Sequence, residues 1–234
     1  CSNGWRVGEV AFVMSRKVSA EFAGTLMLAM VVVGSGIMGA RLTSDVAVAL
    51  IVNAVSTVLA LYLLITLLGP ISGAHFNPAV SLIELIQRRI SVADFIAYVV
   101  AQTAGAVVGV VGAHTMYGLP LLSVSTHLRD GFGMFLGEFV ATAGLIFLIM
   151  VLASRQQSHL TAVAVAGWIG SAYFFTSSTS FANPALTFAR MFTETFAGIA
   201  VSSVALFIFA QIAGSLAGFV LAKVATAGSS HSAQ

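Results

Sequence analysis

Charged side chains are scarce in this sequence. Aspartate, glutamate, lysine and arginine make up 8% of its 234 residues, whereas hydrophobic residues make up 59%. A soluble globular domain carries about 25% charged residues, so the composition excludes an ordinary soluble domain and favours a chain that lies in lipid. The formal net charge is only +2, and no basic run is longer than Arg16-Lys17 or Arg88-Arg89. We therefore expect no nucleic-acid partner.

Cysteine is nearly absent as well. Cys1 is the single cysteine, which excludes an internal disulfide and a metal site built from several thiolates. The zinc-peptidase pattern His-Glu-x-x-His and the hydrolase pattern Gly-x-Ser-x-Gly do not occur. We expect no enzymatic activity, no cofactor and no metal.

Long apolar runs fill the sequence instead. Six of them are long enough to cross a hydrocarbon core of about 30 Å, although the fifth is short. Their predicted ranges are 18–40, 46–68, 94–117, 132–153, 160–176 and 198–224. Two further apolar segments, at 77–88 and 183–194, are too short to span. Each predicts a half-spanning helix of about 18 Å.

The distribution of lysine and arginine predicts the orientation. An even number of spans puts both ends of the chain on one side of the membrane. That side receives seven basic residues, and the opposite side receives only Arg41, Arg129 and Arg190. Because basic residues are enriched on the cytoplasmic side, we expect a multi-pass protein of a bacterial inner membrane. Its ends, residues 1–17 and 225–234, are expected in the cytoplasm.

The two halves of the sequence repeat each other in the same order. Segments 21–25, 76–80 and 101–105 resemble segments 138–142, 182–186 and 210–214, respectively. Because each copy contains three spans, the second copy lies upside down relative to the first, and inverted repeats place their site near the midplane. We predict an all-α membrane protein with inverted repeats at 18–117 and 132–224, joined by an extracytoplasmic connection at 118–131.

Each predicted half-helix begins with the motif Asn-Pro-Ala, as Asn77-Pro78-Ala79 and as Asn183-Pro184-Ala185. Asparagine is a strong N-cap, and proline at the first helical position loses no hydrogen bond. The asparagine amides keep N–H donors for an oxygen at mid-membrane. Two helix N-termini that face each other repel cations. The motifs therefore predict a pore that admits neutral hydroxylated molecules and excludes ions.

These motifs carry a resemblance to a known family. Residues 71–80, Ile-Ser-Gly-Ala-His-Phe-Asn-Pro-Ala-Val, are similar to a signature of the major intrinsic protein family, and the likeness extends from Glu21 to Ala222. That family comprises the aquaporins and aquaglyceroporins. The resemblance implies an aquaporin-like, right-handed bundle of six transmembrane helices plus two re-entrant half-helices. It also implies a homotetramer with one pore per subunit, lined by loop carbonyls before Asn77 and Asn183.

The resemblance also indicates the selectivity filter, the narrowest part of the pore. The family usually has an arginine three residues after the second motif asparagine, and here that residue is Leu186. Family spacing, counted without gaps, assigns the other filter positions to Thr57, Ser171 and Ser180. Loss of a guanidinium removes both a charged donor and bulk. We expect a wide pore for water, glycerol, urea or arsenous acid, similar to that of the bacterial AqpS-type channels associated with arsenic resistance.

Two alternative functions stay open on the sequence alone. One is a water-selective channel; the aspartate that typically follows the filter arginine in glycerol channels is absent, since Thr187 stands there. The other is a proton-coupled secondary transporter, because Glu21 and Glu138 lie inside spans, where ionisable groups usually mark function. In the family such carboxylates brace the re-entrant loops. We expect this role for both glutamates, together with Gln102 and Gln211.

Arg190 has two interpretations. It lies one turn after Leu186 on the same helix face, which makes it a candidate for a charge in the outer vestibule. Alternatively, Arg190 and its counterpart Glu84 snorkel or pair at the membrane surface.

Glycine pairs recur at matching places in the repeats. Gly105 and Gly109 correspond to Gly214 and Gly218. Such spacing lets helices approach closely in membranes, so we predict tight helix crossings there.

Overall fold

The computed structural model describes residues 3–227, with side-chain detail from residue 13 onward. Within that range the chain forms eight α-helices and two short 3-10 turns. The helices are α1 (Asn3–Leu42), α2 (Val46–Ser72), α3 (Pro78–Ile86), α4 (Val92–Met116), α5 (Phe132–Ser154), α6 (Thr161–Phe175), α7 (Pro184–Ala189) and α8 (Val201–Thr226). The 3-10 turns are Ser158–Leu160 and Arg190–Phe192. Cys1 and most of the predicted tail 225–234 lie outside the described residues.

Five helices, α1, α2, α4, α5 and α8, are long and apolar enough to cross a membrane. Within the part of α1 whose side chains are described, the apolar stretch Val13–Leu42 contains the predicted range 18–40. α6 is not among these five, because its 15 residues extend only about 22 Å. It corresponds to the short fifth run of the sequence.

Both half-helices begin at the prolines of the Asn-Pro-Ala motifs, as predicted, but they end early. α3 stops at Ile86, and two residues later Arg88 has a φ of 59°, a left-handed conformation that a helix does not accommodate. α7 stops at Ala189, and the chain continues as the 3-10 turn. The predicted ranges 77–88 and 183–194 are too long because apolar composition does not show where a helix ends.

The two repeats pack in the same way. α1 contacts α2 and α4, and α5 contacts the corresponding helices α6 and α8. α3 packs on α4 as α7 packs on α8. Each half-helix also crosses to the other repeat, because α3 contacts α5 and α8 whereas α7 contacts α1 and α4. The half-helices are therefore enclosed between the repeats.

Helix backbones meet at the predicted glycine pairs. A Cβ on Gly105 would overlap the carbonyl oxygen of Phe22 in α1. At the matching crossing, a Cβ on Gly218 would overlap the carbonyl oxygen of Ala143 in α5. The absence of a side chain lets the helices touch there.

We expect Gly218→Val to lower the stability of the folded protein. The new side chain would meet the α5 backbone, and overpacking of this kind costs about 1–3 kcal/mol. Gly167→Ala is the matched control, because a Cβ there meets no atom within 4 Å. Thermal unfolding in detergent, followed by size exclusion, compares the two. A Gly218→Val protein that melts like the wild type would contradict a tight crossing.

Candidate functional site

The two motif asparagines cap the half-helices. Asn77 Oδ1 accepts a hydrogen bond from the Ala79 N–H at 2.9 Å, and Asn183 Oδ1 accepts one from the Ala185 N–H at 3.0 Å. The following prolines occupy the first helical position, where no N–H is needed. The sequence therefore starts both half-helices by the same local chemistry.

The same asparagines join the two repeats. Asn77 Nδ2 donates to the carbonyl of Ala182 at 2.7 Å, and Asn183 Nδ2 donates to the carbonyl of Phe76 at 2.8 Å. Each amide nitrogen has a second N–H. Both asparagines line the same cavity, so a donor from each repeat is available to a molecule inside it.

The residue before each asparagine has left-handed backbone. Phe76 has a φ of 49° and Ala182 a φ of 46°. This conformation costs a non-glycine residue about 1–2 kcal/mol, so surrounding contacts have to hold it.

In the first repeat those contacts come from Glu21. Its carboxylate accepts hydrogen bonds from the backbone N–H groups of His75 and Phe76, at 3.0 and 2.7 Å. It also accepts from the Ser72 hydroxyl at 2.6 Å and from Gln102 Nε2 at 2.8 Å. The loop before Asn77 is thus fixed to α1 and α4.

Glu138 does the same in the second repeat. It accepts hydrogen bonds from the backbone N–H groups of Phe181 and Ala182, both at 2.8 Å, and from Gln211 Nε2 at 2.6 Å. Like Glu21, it is fully buried and does not line the cavity. Carboxylates committed to the loops favour the bracing interpretation over proton coupling.

One cavity of about 580 Å³ runs past both asparagines. Its walls are largely apolar and come from equivalent helices of the two repeats. They include Leu28 and Val32 of α1, Leu61 and Ile65 of α2, Leu145 and Ile149 of α5, and Val165 and Ile169 of α6. Residues 73–76 and 180–182 of the two loops complete the lining. Such walls offer few hydrogen bonds, so a polar solute finds its partners mainly along the loops.

Five of the residues that line the cavity form what we call the filter end: Thr57, Tyr173, Ser180, Leu186 and Arg190. All of them except Leu186 are polar. The hydroxyl of Thr57 donates to the carbonyl of Asn53 at 2.8 Å and lies 3.1 Å from the Tyr173 hydroxyl. Since Thr57 has one proton, Tyr173 donates to Thr57 and keeps acceptor capacity. Ser180 Oγ is buried without a hydrogen-bond partner.

The assignment of Ser171 to the filter is corrected by the structure. Ser171 lies on the exposed side of α6 and is not among the residues that line the cavity, whereas Tyr173 is. Residues two apart on a helix point in nearly opposite directions, and counting without gaps misses this. The spacing of Val165, Ile169 and Tyr173 at intervals of four was the available signal for the cavity face.

Arg190 and Glu84, which occupy equivalent positions, behave differently. Glu84 pairs with the exposed Arg89 at 3.1 Å, although its own side chain is only 16% exposed and also lines the cavity. Arg190 is only 5% exposed and lines the filter end. The surface interpretation is therefore wrong for Arg190.

The connection between the repeats holds the loop that follows α7. Ser125 N–H donates to the Met191 carbonyl at 2.9 Å, and Ala200 N–H donates to the His127 carbonyl at 2.7 Å. Two hydrogen bonds from Thr126, one from its hydroxyl and one from its backbone N–H, hold the pKa of Glu194 below its ordinary value. Glu194 is thus an anion at neutral pH, and its hydrogen bonds to the connection are charge-assisted.

Comparisons with known proteins agree with this geometry. A sequence model of the family described as Major intrinsic protein matches residues 9–179. The chain is 44% identical to the aquaglyceroporin AqpS of Rhizobium meliloti over 214 residues, which is 91% of each protein. It is 36% identical to the glycerol uptake facilitator protein-like 6 of Lactiplantibacillus plantarum over 150 residues, 62% of this chain and 65% of that protein.

A solved structure has the same fold. The X-ray structure of the aquaglyceroporin from Plasmodium falciparum superposes with a TM-score of 0.66 at 20% sequence identity. The superposition covers 93% of this chain and 97% of that one.

Proposed function

Because this chain belongs to the major intrinsic protein family and is a passive membrane channel for water and small solutes, we propose that its pore admits neutral molecules larger than water. Glycerol, urea and arsenous acid are the solutes that we expect to pass. The similarity to AqpS of Rhizobium meliloti, an aquaglyceroporin by name, supports a pore wider than a water filter.

The observation that carries this proposal is Leu186 at the filter end. It is 6% exposed and lines the cavity at the position where the family resemblance leads one to expect an arginine. An aliphatic side chain there adds no donor and leaves more room than a guanidinium. The hydroxyls of Thr57 and Tyr173, two residues that line the cavity, remain as partners for a hydroxylated solute.

The asparagines support the restriction to uncharged solutes. Asn77 and Asn183 bring the N-termini of α3 and α7 to the same place, where their dipoles favour oxygen lone pairs over cations. An ion would also have to shed its water against mainly apolar walls, which is costly.

The arrangement in the membrane is part of the proposal. We expect both ends of the chain in the cytoplasm, the filter end on the opposite side, and a homotetramer with one pore in each subunit. Exposed apolar faces support membrane embedding and subunit packing; on α2 they include Val55, Leu59, Leu63 and Leu67.

The direct test measures solute flux. We expect proteoliposomes that contain the protein to take up glycerol, urea and arsenous acid at least about ten times faster than empty liposomes in stopped-flow swelling, since a pore replaces a hydrocarbon barrier. The flux should not saturate and should not respond to a pH gradient. Rapid water flux with glycerol and arsenite at the empty-liposome level would instead identify a water-selective channel.

A further inference from the structure

Arg190 is a buried cation that lacks an anionic partner. Within residues 13–227 the ion pairs are Arg89–Glu84 and His127–Glu194, and neither involves Arg190. Burial of an unpaired charge is costly, and an ionisable group at membrane depth usually marks a function. The fold nevertheless holds this guanidinium at the filter end.

Two contacts fix the guanidinium in place. Its Nε donates to the carbonyl of Ala197, and its Cζ lies 3.3 Å from the centroid of the Phe181 ring. The negative face of an aromatic ring attracts a guanidinium that lies over it. Arg129 Nε donates to the Gly198 carbonyl at 2.9 Å and so holds the loop that carries the Ala197 carbonyl.

These contacts leave the end of the guanidinium free. Within the described residues, neither terminal nitrogen of Arg190 makes a hydrogen bond, and neither is among the fully buried polar atoms without a partner. Both nitrogens therefore keep contact with open space. Since Arg190 lines the cavity beside Thr57, Tyr173 and Leu186, that space is the pore.

We propose that Arg190 supplies the fixed positive charge of the filter from one turn beyond the position where the family usually has its arginine, with Phe181 as the positioning residue. This inference rests on the proposed function, because it concerns the same pore. Leu186 leaves the filter wide, while Arg190 repels cations and protons and donates to a solute oxygen. An arginine at the usual position would set both the width and the charge of the filter. Here Leu186 sets the width and Arg190 supplies the charge.

The test measures proton leak and glycerol flux on the same proteoliposomes. A potassium gradient with valinomycin drives protons inward, and an enclosed pH-sensitive dye reports their entry. We expect Arg190→Leu to raise proton entry roughly tenfold or more over the wild type, as removal of one charge that faces a permeating cation predicts. Arg190→Lys should keep entry low. Phe181→Leu keeps the charge but removes the ring that Arg190 and Arg129 both contact, and it should give an intermediate value.

Two further variants serve as controls for the proton-leak measurement. Arg155→Gln removes an exposed arginine outside the cavity and should leave both readouts at the wild-type level. Arg190→Gln keeps length and an N–H donor without the charge, and it replaces Arg190→Leu if that protein does not fold.

The outcomes separate this inference from the proposed function. Variants of Arg190 that elute as folded protein and leak no more protons than the wild type would overturn the inference, whatever the glycerol flux. A wild-type protein without glycerol flux would overturn the proposed function, while the comparison of proton entry between variants would still decide the role of Arg190.

Discussion

Leu186→Arg should convert the pore towards a water filter. Glycerol and arsenous acid flux should fall about tenfold or more while water flux stays within about threefold of the wild type. The physical reason is that a guanidinium occupies the space beside Thr57 and Tyr173 and holds a solute through charged hydrogen bonds, each worth about 1.5–3 kcal/mol, where 1.4 kcal/mol is a factor of ten. Stopped-flow swelling with each solute measures the ratio of permeabilities.

The controls separate size from charge. Leu186→Met conserves volume and should leave the ratio of glycerol to water permeability unchanged. The double variant Leu186→Arg with Arg190→Leu moves the guanidinium one turn along the same helix face without adding a charge. A Leu186→Arg protein with the wild-type ratio would show that the narrowest point lies elsewhere.

Glu138→Leu should prevent the accumulation of folded protein or lower its stability severely. The carboxylate is the acceptor for the N–H groups of Phe181 and Ala182 and for Gln211 Nε2. Each buried donor that loses its acceptor costs about 1–3 kcal/mol, against a total stability of about 5–15 kcal/mol. Recovery of monodisperse protein and its melting temperature in detergent measure the effect.

Two milder variants test the cause. Glu138→Gln keeps one acceptor oxygen and should be less damaging than Glu138→Leu. Glu84→Gln removes a carboxylate that is paired with the exposed Arg89 rather than with loop N–H groups, and it should lower stability much less than Glu138→Leu does. Equal melting temperatures for Glu138→Leu and the wild type would refute the bracing role.

Much of the fold was predictable because the repeats constrain one another. The match of segments 76–80 and 182–186 predicted two half-helix starts, and α3 and α7 begin at those prolines. The glycine pairs predicted close crossings because only a missing side chain lets two backbones touch. The family resemblance implied that Glu21 and Glu138 brace the loops, which agrees with the absence of water for loop N–H groups inside a membrane.

The filter end was less predictable because it depends on how each helix is rotated about its own axis and on contacts between segments that are distant in the sequence. Ser171 and Tyr173 are two residues apart, yet only Tyr173 lines the cavity. Spacing along the sequence also could not show that Arg190 stacks on Phe181, because that contact depends on how the chain folds back after α7. The sequence therefore left both interpretations of Arg190 open.

The crossed bonds of the two asparagines have a consequence for synthesis. Asn77 and Ala182 are 105 residues apart, and Phe76 and Asn183 are 107 apart. Contacts between such distant residues form late, because the intervening chain must be ordered first. The N-terminal repeat leaves the ribosome with the Nδ2 donor of Asn77 still without its acceptor. The centre of the pore is thus completed only after the second repeat has entered the membrane, because each asparagine donates to a carbonyl of the other repeat.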